Sequence, residues 1–453
     1  MAVTSGDPLT LVLRFADLGV ATYASLRVVG QPWRTVTWVV AEPIVLAAVQ
    51  ELAGAIPDPQ AAETTADAIE RAVTRGGFAH RDRELTLAYI LGVLLIAAEG
   101  WRLLGECVSD PRAVLFVAPS ARLAAVPWGL LAVPTSGPTA EELLRARAAA
   151  ITTRGTTAAR LPWQLADITE HTDGHRLLEL VDVLMALPAN VTNAARPRHA
   201  WTDRRDAPAV LVLDPRVPGQ RPDSELGSVL GRPTADGRLT HHVAELTARS
   251  AVLPDTVSAV DLFRRSDADR HWLQRQLNQA PGRLLFVGHA SAADGDLGTA
   301  DRAALHLACA ATVPGLAEPI GAHRPLSAAD VRALQLRLPP RVALLACGSG
   351  GDYRFDEATG LVAAMVLGGA QLVTATLWTL PTTAGFRRFA ADPTADPMVE
   401  VVIAVDAAHG EDDAGRAVCR WQRGRLRQWR AGDSAASPLY WAALVTFAVD
   451  GAR

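Results

Sequence analysis

The sequence predicts an α/β sandwich built on a mostly parallel sheet and preceded by a helical region. Three observations carry this expectation. From residue 113 onward, short β-branched and aliphatic runs recur without polar alternation, the pattern of strands covered on both faces. Helical stretches lie between these runs, and strands alternating with helices indicate parallel pairing through crossovers. The first hundred residues instead carry Ala- and Glu-rich or continuous aliphatic segments, which read as helices.

Within residues 1–104 the helix candidates are 41–55, 61–73 (AAETTADAIERAV) and 85–98 (LTLAYILGVLLIAA), punctuated by Gly54, Pro57 and Pro59. The third is the most apolar stretch of the chain. It falls short of the roughly 18–20 residues that a membrane span needs, and Arg83, Glu84 and Glu99 flank it. A buried helix is expected there, with no membrane span. The strand candidates are 113–118 (AVLFVA), 210–213 (VLVL), 283–288 (RLLFVG), 342–346 (VALLA), 372–378 (LVTATLW) and 442–448 (AALVTFA). Helices are expected at 267–279, 328–336 and 359–369. Residues 214–238 and 313–325 are dense in Pro and Gly and read as exposed loops inside the α/β unit. The expected organisation is a helical N-terminal region over 1–104, serving regulation or interaction, and an α/β domain over 105–453.

With 453 residues, 49% of them hydrophobic and 20% charged, the chain can bury a large core. A net charge of -4 argues against nucleic acid as the main partner, because phosphate binding needs a surplus of cations. No lysine occurs, so all 44 basic residues are arginine. This excludes lysine Schiff-base chemistry, a Walker A phosphate loop and a kinase-type lysine. Cys107, Cys309, Cys347 and Cys419 are scattered without a CxxC pair, and the N-terminus shows no charged-then-apolar export signal. A cytoplasmic protein with reduced thiols is the expectation.

The 283–288 run leads directly into His289, and the 342–346 run directly into Cys347, followed by Gly348, Ser349, Gly350 and Gly351. In an open parallel sheet the C-terminal strand ends share one edge, where ligands bind. If the two strands are neighbours, an imidazole and a thiol face each other there, as a Cys–His nucleophile requires. The glycines permit a sharp turn and let backbone N–H groups approach a substrate oxygen. Such a site needs no metal and no organic cofactor. The residues alone leave open a small buried core cysteine and a satisfied strand-end histidine.

Asp352, Asp356 and Glu357 follow this turn, where an S1 pocket could recruit an acid; solvent-facing loop acids are the plainer reading. His171 and His175 have i,i+4 spacing, but Gly174 weakens the helix and no third ligand is evident. His241 and His242 read as a surface pair. Ser349 lacks the G-x-S-x-G context of a serine nucleophile. Residues 416–430 hold six arginines and two tryptophans, which read as the solvated face of a helix ahead of a nucleic-acid patch. Cys309 and Cys419 read as structural.

At these residues the chain resembles the CHAT domain, a bacterial branch of the caspase- and separase-like cysteine peptidases. Five stretches match in the family's order: 113–134 (AVLFVAPSARLAAVPWGLLAVP), 283–296 (RLLFVGHASAADGD), 341–351 (RVALLACGSGG), 360–380 (GLVAAMVLGGAQLVTATLWTL) and 438–449 (PLYWAALVTFAV). His289 precedes Cys347 by 58 residues, close to the roughly 50 that separate the caspase pair. The resemblance implies a caspase-like three-layer α/β/α sandwich and a cysteine endopeptidase, with His289 as general base or ion-pair partner and Cys347 as nucleophile. It implies backbone N–H groups of Ala290 and Cys347 as the oxyanion hole. Ala290 stands where the family often has Gly, and Gly348 where an acidic residue is common. The resemblance also implies a protein substrate in a bacterial stress or defence setting, such as a neighbouring gasdermin-like pore former. An activator binding the N-terminal region is expected. The rival reading is an inactive caspase-like docking module.

Overall fold

The computed structural model describes residues 9–60, 62–107, 110, 112–154, 168–221, 224, 226–291, 300–346 and 360–453. The chain divides into two compact units, Met1–Ala186 with Gln422–Ala442 and Leu187–Trp421 with Ala443–Arg453. The first unit runs through residue 105 without interruption.

The first unit opens on three strands, β1 (Thr10–Asp17), β2 (Ala21–Val28) and β3 (Gln31–Ala41), joined antiparallel. This corrects the expectation of a helical region throughout residues 1–104. Leu11, Leu13 and Phe15 on β1 and Ala24, Leu26 and Val28 on β2 are buried in alternation, the period of two of a half-covered strand. Outward-facing Val12, Ala16 and Tyr23 blur that alternation in the sequence. Gly19 and Gly30 supply the turns at φ 85° and 81°, a region costly for residues with a Cβ.

Helices α1 (Glu42–Ala53), α2 (Thr65–Thr74) and α3 (Arg81–Leu95) stand where the sequence predicts them. Thr64 and Asp67 form a reciprocal capping box at the start of α2. In α3, Leu87 through Gly92, Leu94 and Leu95 are buried, as expected for the most apolar run. α4 (Ala98–Cys107) follows at a bend of 107°. Among the described residues no single helix is long and apolar enough to cross a membrane. β1 pairs in parallel with β4 (Val114–Ala118), and β4 with β5 (Asp182–Met185), giving the order β3-β2-β1-β4-β5 in this unit. α5 (Ala140–Arg154) lies between β4 and β5 in sequence. Near the start of α3, Glu84 accepts from Arg176 Nε at 3.0 Å and Nη2 at 2.9 Å, both side chains buried.

The second unit carries β6 (Ala209–Leu213), β7 (Val252–Leu253) and β8 (Arg283–Val287). A separate small sheet follows, β9 (Ala290–Ser291), β10 (Ala304–Leu305) and β11 (Leu326–Ser327). β12 (Arg341–Leu345), β13 (Leu372–Thr376) and β14 (Leu444–Ala448) complete the main sheet of this unit, in the order β7-β6-β8-β12-β13-β14. All neighbours are parallel except β13 and β14. The six strands expected from the sequence all form, each within two residues of its expected bounds.

The helices of this unit are α6 (Arg238–Arg249), α7 (Arg270–Leu277), α8 (Ala328–Ala333), α9 (Leu361–Leu367), α10 (Thr383–Phe389), α11 (Pro397–His409) and α12 (Ala414–Ala431), the last running on into the first unit's residues. α11 packs on β8, β12 and α6, while α9 packs on β13 and α8. β6, β12 and β13 are buried at every residue, so helices cover both faces and the fold is the expected α/β sandwich.

Arginines tie these layers together. Arg270 donates to Asp330 Oδ1 at 2.9 Å and to Pro325 O at 2.8 Å. Arg341 lies 3.6 Å over the Trp201 ring and donates to the carbonyls of His409 at 2.8 Å and Asp412 at 2.6 Å. Burial pushes the Asp330 carboxyl up, but donation from Leu316 and Ser327 and the nearby Arg270 outweigh it and hold it below the ordinary 3.8. Asp330→Ala should cost about 3–5 kcal/mol in urea unfolding at pH 7, since Arg270 is left buried and unpaired. Because the folded value is depressed, this stabilisation is complete above 3.8 and is lost as pH falls through the lower folded value. The wild-type advantage should therefore shrink toward pH 3; a constant difference would contradict it.

Candidate active site

β6, β8 and β12 run in register, with Leu213 opposite Val287 and Val287 opposite Leu345. All three chains therefore leave the sheet at one edge. The ladder continues one residue further: Gly288 N–H donates to Leu345 O at 3.2 Å and Asp214 N–H to Val287 O at 2.6 Å. β8 then delivers His289, 7% exposed. β12 runs on to Ala346, whose carbonyl accepts from the Thr376 hydroxyl on β13.

His289 Nε2 lies 3.2 Å from the carbonyl oxygen of Gly227. A carbonyl only accepts, so Nε2 carries the proton, and whenever the ring is neutral its lone pair sits on Nδ1. The main chain around His289 is held by the small sheet. His306 N–H donates to His289 O at 3.0 Å, and Ala290 stands opposite Leu305. With the ladder bond made by the flanking residues, Ala290 N–H points away from β10. Ala290 is not among the positive-φ residues, so its Cβ imposes no strain and glycine is not needed at this position.

Beneath this segment His306 Nδ1 meets His323 Nε2 at 2.9 Å, both rings buried. Burial, reinforced by the neighbouring rings of His323 and His289, pushes His306 down to about 3. Burial also lowers His323. Both rings are therefore neutral at ordinary pH.

Of the expected site residues, the structure brings His289 and Ala290 to this edge. Cys347, Gly348, Ser349, Gly350, Asp352, Asp356 and Glu357 lie outside the described residues. The reading of the sequence missed the Gly227 carbonyl, Asp214 and the His306–His323 pair. Asp214 carried a usable signal, since it follows β6 directly, as His289 follows β8 by two residues. Gly227 carried none, because a backbone carbonyl has no sequence signature.

The other candidates lie away from this edge in sequence and make the following contacts. Among the described residues no three His, Cys, Asp or Glu side chains converge as a metal site; His171 Nδ1 instead meets the Ser136 hydroxyl at 3.0 Å. His242 reaches Asp406 at 2.8 Å, whereas His241 is exposed. In α12, Arg423 pairs with Asp182 at 2.5 Å and Arg430 with Glu179 at 2.7 Å, and Trp429 is buried. That stretch is a packed helix. Cys309 and Cys419 are buried.

A histidine held neutral in the fold takes up a proton first in the unfolded chain, so stability falls as pH drops from 6.5 toward about 3. His306 should contribute a slope of about 1.4 kcal/mol per pH unit over that range. Urea unfolding of wild type and His306→Leu at pH 6.5, 5.5 and 4.5 should show the flatter dependence in the variant; equal slopes would be inconsistent with a neutral buried ring.

The CHAT domain family matches residues 96–448. No curated protein matches the chain. Two crystal structures of the Saccharomyces cerevisiae separase–securin complex are similar over 97% of this chain, at 10% and 9% identity with TM-scores of 0.41 and 0.43. The chain spans about 30% of the length of those separase chains. With the family matched over most of its length, this chain belongs to the CHAT domain family.

Proposed function

We propose that the chain is a cysteine endopeptidase in which Cys347 and His289 form the catalytic dyad. The observation that carries this reading is the parallel register of Val287 with Leu345. Two residues beyond each partner the sequence has His289 and Cys347.

In the proposed reaction the Cys347 thiol gives its proton to His289 Nδ1, the nitrogen left basic by the Gly227 hydrogen bond. The thiolate sulfur attacks the scissile carbonyl carbon, and the carbonyl electron pair moves onto oxygen. Backbone N–H groups of Ala290 and Cys347 stabilise that oxyanion. Collapse of the adduct breaks the C–N bond, and the imidazolium protonates the leaving amine. The same ring then takes a proton from water, whose oxygen bonds to the thioester carbon; collapse of this second adduct breaks the C–S bond, releases the carboxylic acid and returns the thiolate, which the imidazolium reprotonates. Every step uses side chains and backbone of this chain.

The substrate we propose is a protein, cut as a regulated step in a bacterial cytoplasmic stress or defence response. A gasdermin-like effector is the substrate type suggested by the resemblance to other CHAT proteins. Mass spectrometry of a bacterial proteome exposed to wild type and to Cys347→Ala tests the reading. New termini should appear with wild type, and their rate of formation should fall by a factor on the order of 10³ or more in the variant. Cleavage retained by Cys347→Ala would refute the assignment. An absence of new termini together with no preferential alkylation of Cys347 would favour a docking module.

A further inference from the structure

We propose that Asp214, together with Arg264, is a positioning residue that sets the tautomer and orientation of His289. The proposal rests on the dyad reading above and adds to it a residue to which the resemblance gives no role.

Asp214 follows β6 with φ 52° and is 1% exposed. A carboxylate so deeply buried is costly unless its oxygens are fully matched. Here they are matched by one short turn. Oδ2 accepts from the Ser228 hydroxyl at 2.6 Å and from Leu230 N–H at 3.4 Å; Oδ1 accepts from Val229 N–H at 3.1 Å and from Arg264 Nη1 at 3.3 Å. Three consecutive residues, Ser228, Val229 and Leu230, are thus folded around a single side chain. The residue before them is Gly227, the carbonyl partner of His289 Nε2.

Arg264 closes the arrangement. Its Nη1 also donates to Gly227 O at 3.1 Å, and its own N–H donates to Leu213 O at 3.0 Å. The guanidinium therefore bridges the Asp214 carboxylate and the oxygen that receives the imidazole proton. Asp214 also grips the other side of His289, because its N–H donates to Val287 O, two residues upstream of the ring. One residue holds both the strand that delivers His289 and the turn that faces its Nε2. With the carboxylate charge removed, the 227–230 turn loses its anchor. The ring can then take the Nδ1–H tautomer, in which the lone pair needed for the thiol proton is absent from Nδ1.

Among the described residues, Asp214 after β6 and Arg264 beyond β7 hold the turn that faces His289, and His306 after β10 acts on the ring electrostatically. His306 is held at about 3 and does not titrate between pH 5.5 and pH 9.5.

The test is the rate of iodoacetamide alkylation at Cys347, quantified site by site by mass spectrometry from about pH 5.5 to pH 9.5. Wild type, Asp214→Asn, Ser228→Ala and His289→Ala are compared in the full chain. Asp214→Asn should slow labelling about 10- to 100-fold near pH 6 and converge with wild type near pH 9.5, as loss of an orienting partner predicts. Ser228→Ala, which removes one donor to the carboxylate, should shift the profile in the same sense by a smaller factor.

A wild-type profile in Asp214→Asn beside a slowed His289→Ala would overturn the clamp and leave the dyad standing. A wild-type profile in His289→Ala would instead remove the dyad, and the clamp with it. Should Asp214→Asn fail to fold, Ser228→Ala decides: an unchanged pH profile there rejects the proposal.

Discussion

The parallel register of β6, β8 and β12 is the constraint on which the site depends. A strand buried on both faces cannot be anchored by hydrophobic alternation, so its neighbours and its ladder bonds must set its position. A slip of one residue between β8 and β12 would shift one strand end by about 3.3 Å, more than any hydrogen bond at the edge tolerates. The bonds from Gly288 to Leu345 and from Asp214 to Val287 extend the ladder past the strands proper and hold that register where the chains diverge.

A second constraint follows from the absence of lysine. Every permanently charged basic side chain is a guanidinium, and the fold uses its planarity and several donors. Arg176 meets Glu84 through two nitrogens, Arg341 stacks on Trp201 while holding carbonyls at and just past the end of α11, and Arg270 links α7 to the capping box of α8. The same chemistry recurs at the edge, where one Arg264 nitrogen bridges a carboxylate and a backbone oxygen. An ammonium could replace the charge at these places but not the stacking or the two-nitrogen bonding.

Legibility in the sequence followed burial contrast. The runs at 209–213, 284–287 and 342–345 are apolar throughout and each follows a Pro or an Arg, so their strands could be read directly. β1 to β3 could not, because a covered face carrying Leu11, Leu13 and Phe15 alternates with an outer face that still bears Val12, Ala16, Tyr23 and Val39. β5 escaped because its four residues, DVLM, are too few for any period to show. The two-residue strands β9 to β11 are invisible for the same reason, although they hold the main chain of His289.

Sequence alone determined the composition of the site's edge: which strands exist, which residues directly follow them, and that an imidazole and a glycine-flanked thiol are among those residues. These are properties of the covalent order, in which a residue's distance from its strand is fixed. Tertiary structure alone decided that β8 lies between β6 and β12, that the Gly227 carbonyl meets Nε2, and that Asp214 is enclosed by Ser228, Val229, Leu230 and Arg264. Those contacts join segments up to 74 residues apart, and the strand pairing, the Gly227 contact and two of the Asp214 contacts run through backbone atoms. Backbone atoms are the same in every residue, so no sequence pattern can announce those contacts before the chain has folded, and the Ser228 and Arg264 side chains reach Asp214 only once the turn and β6 are brought together.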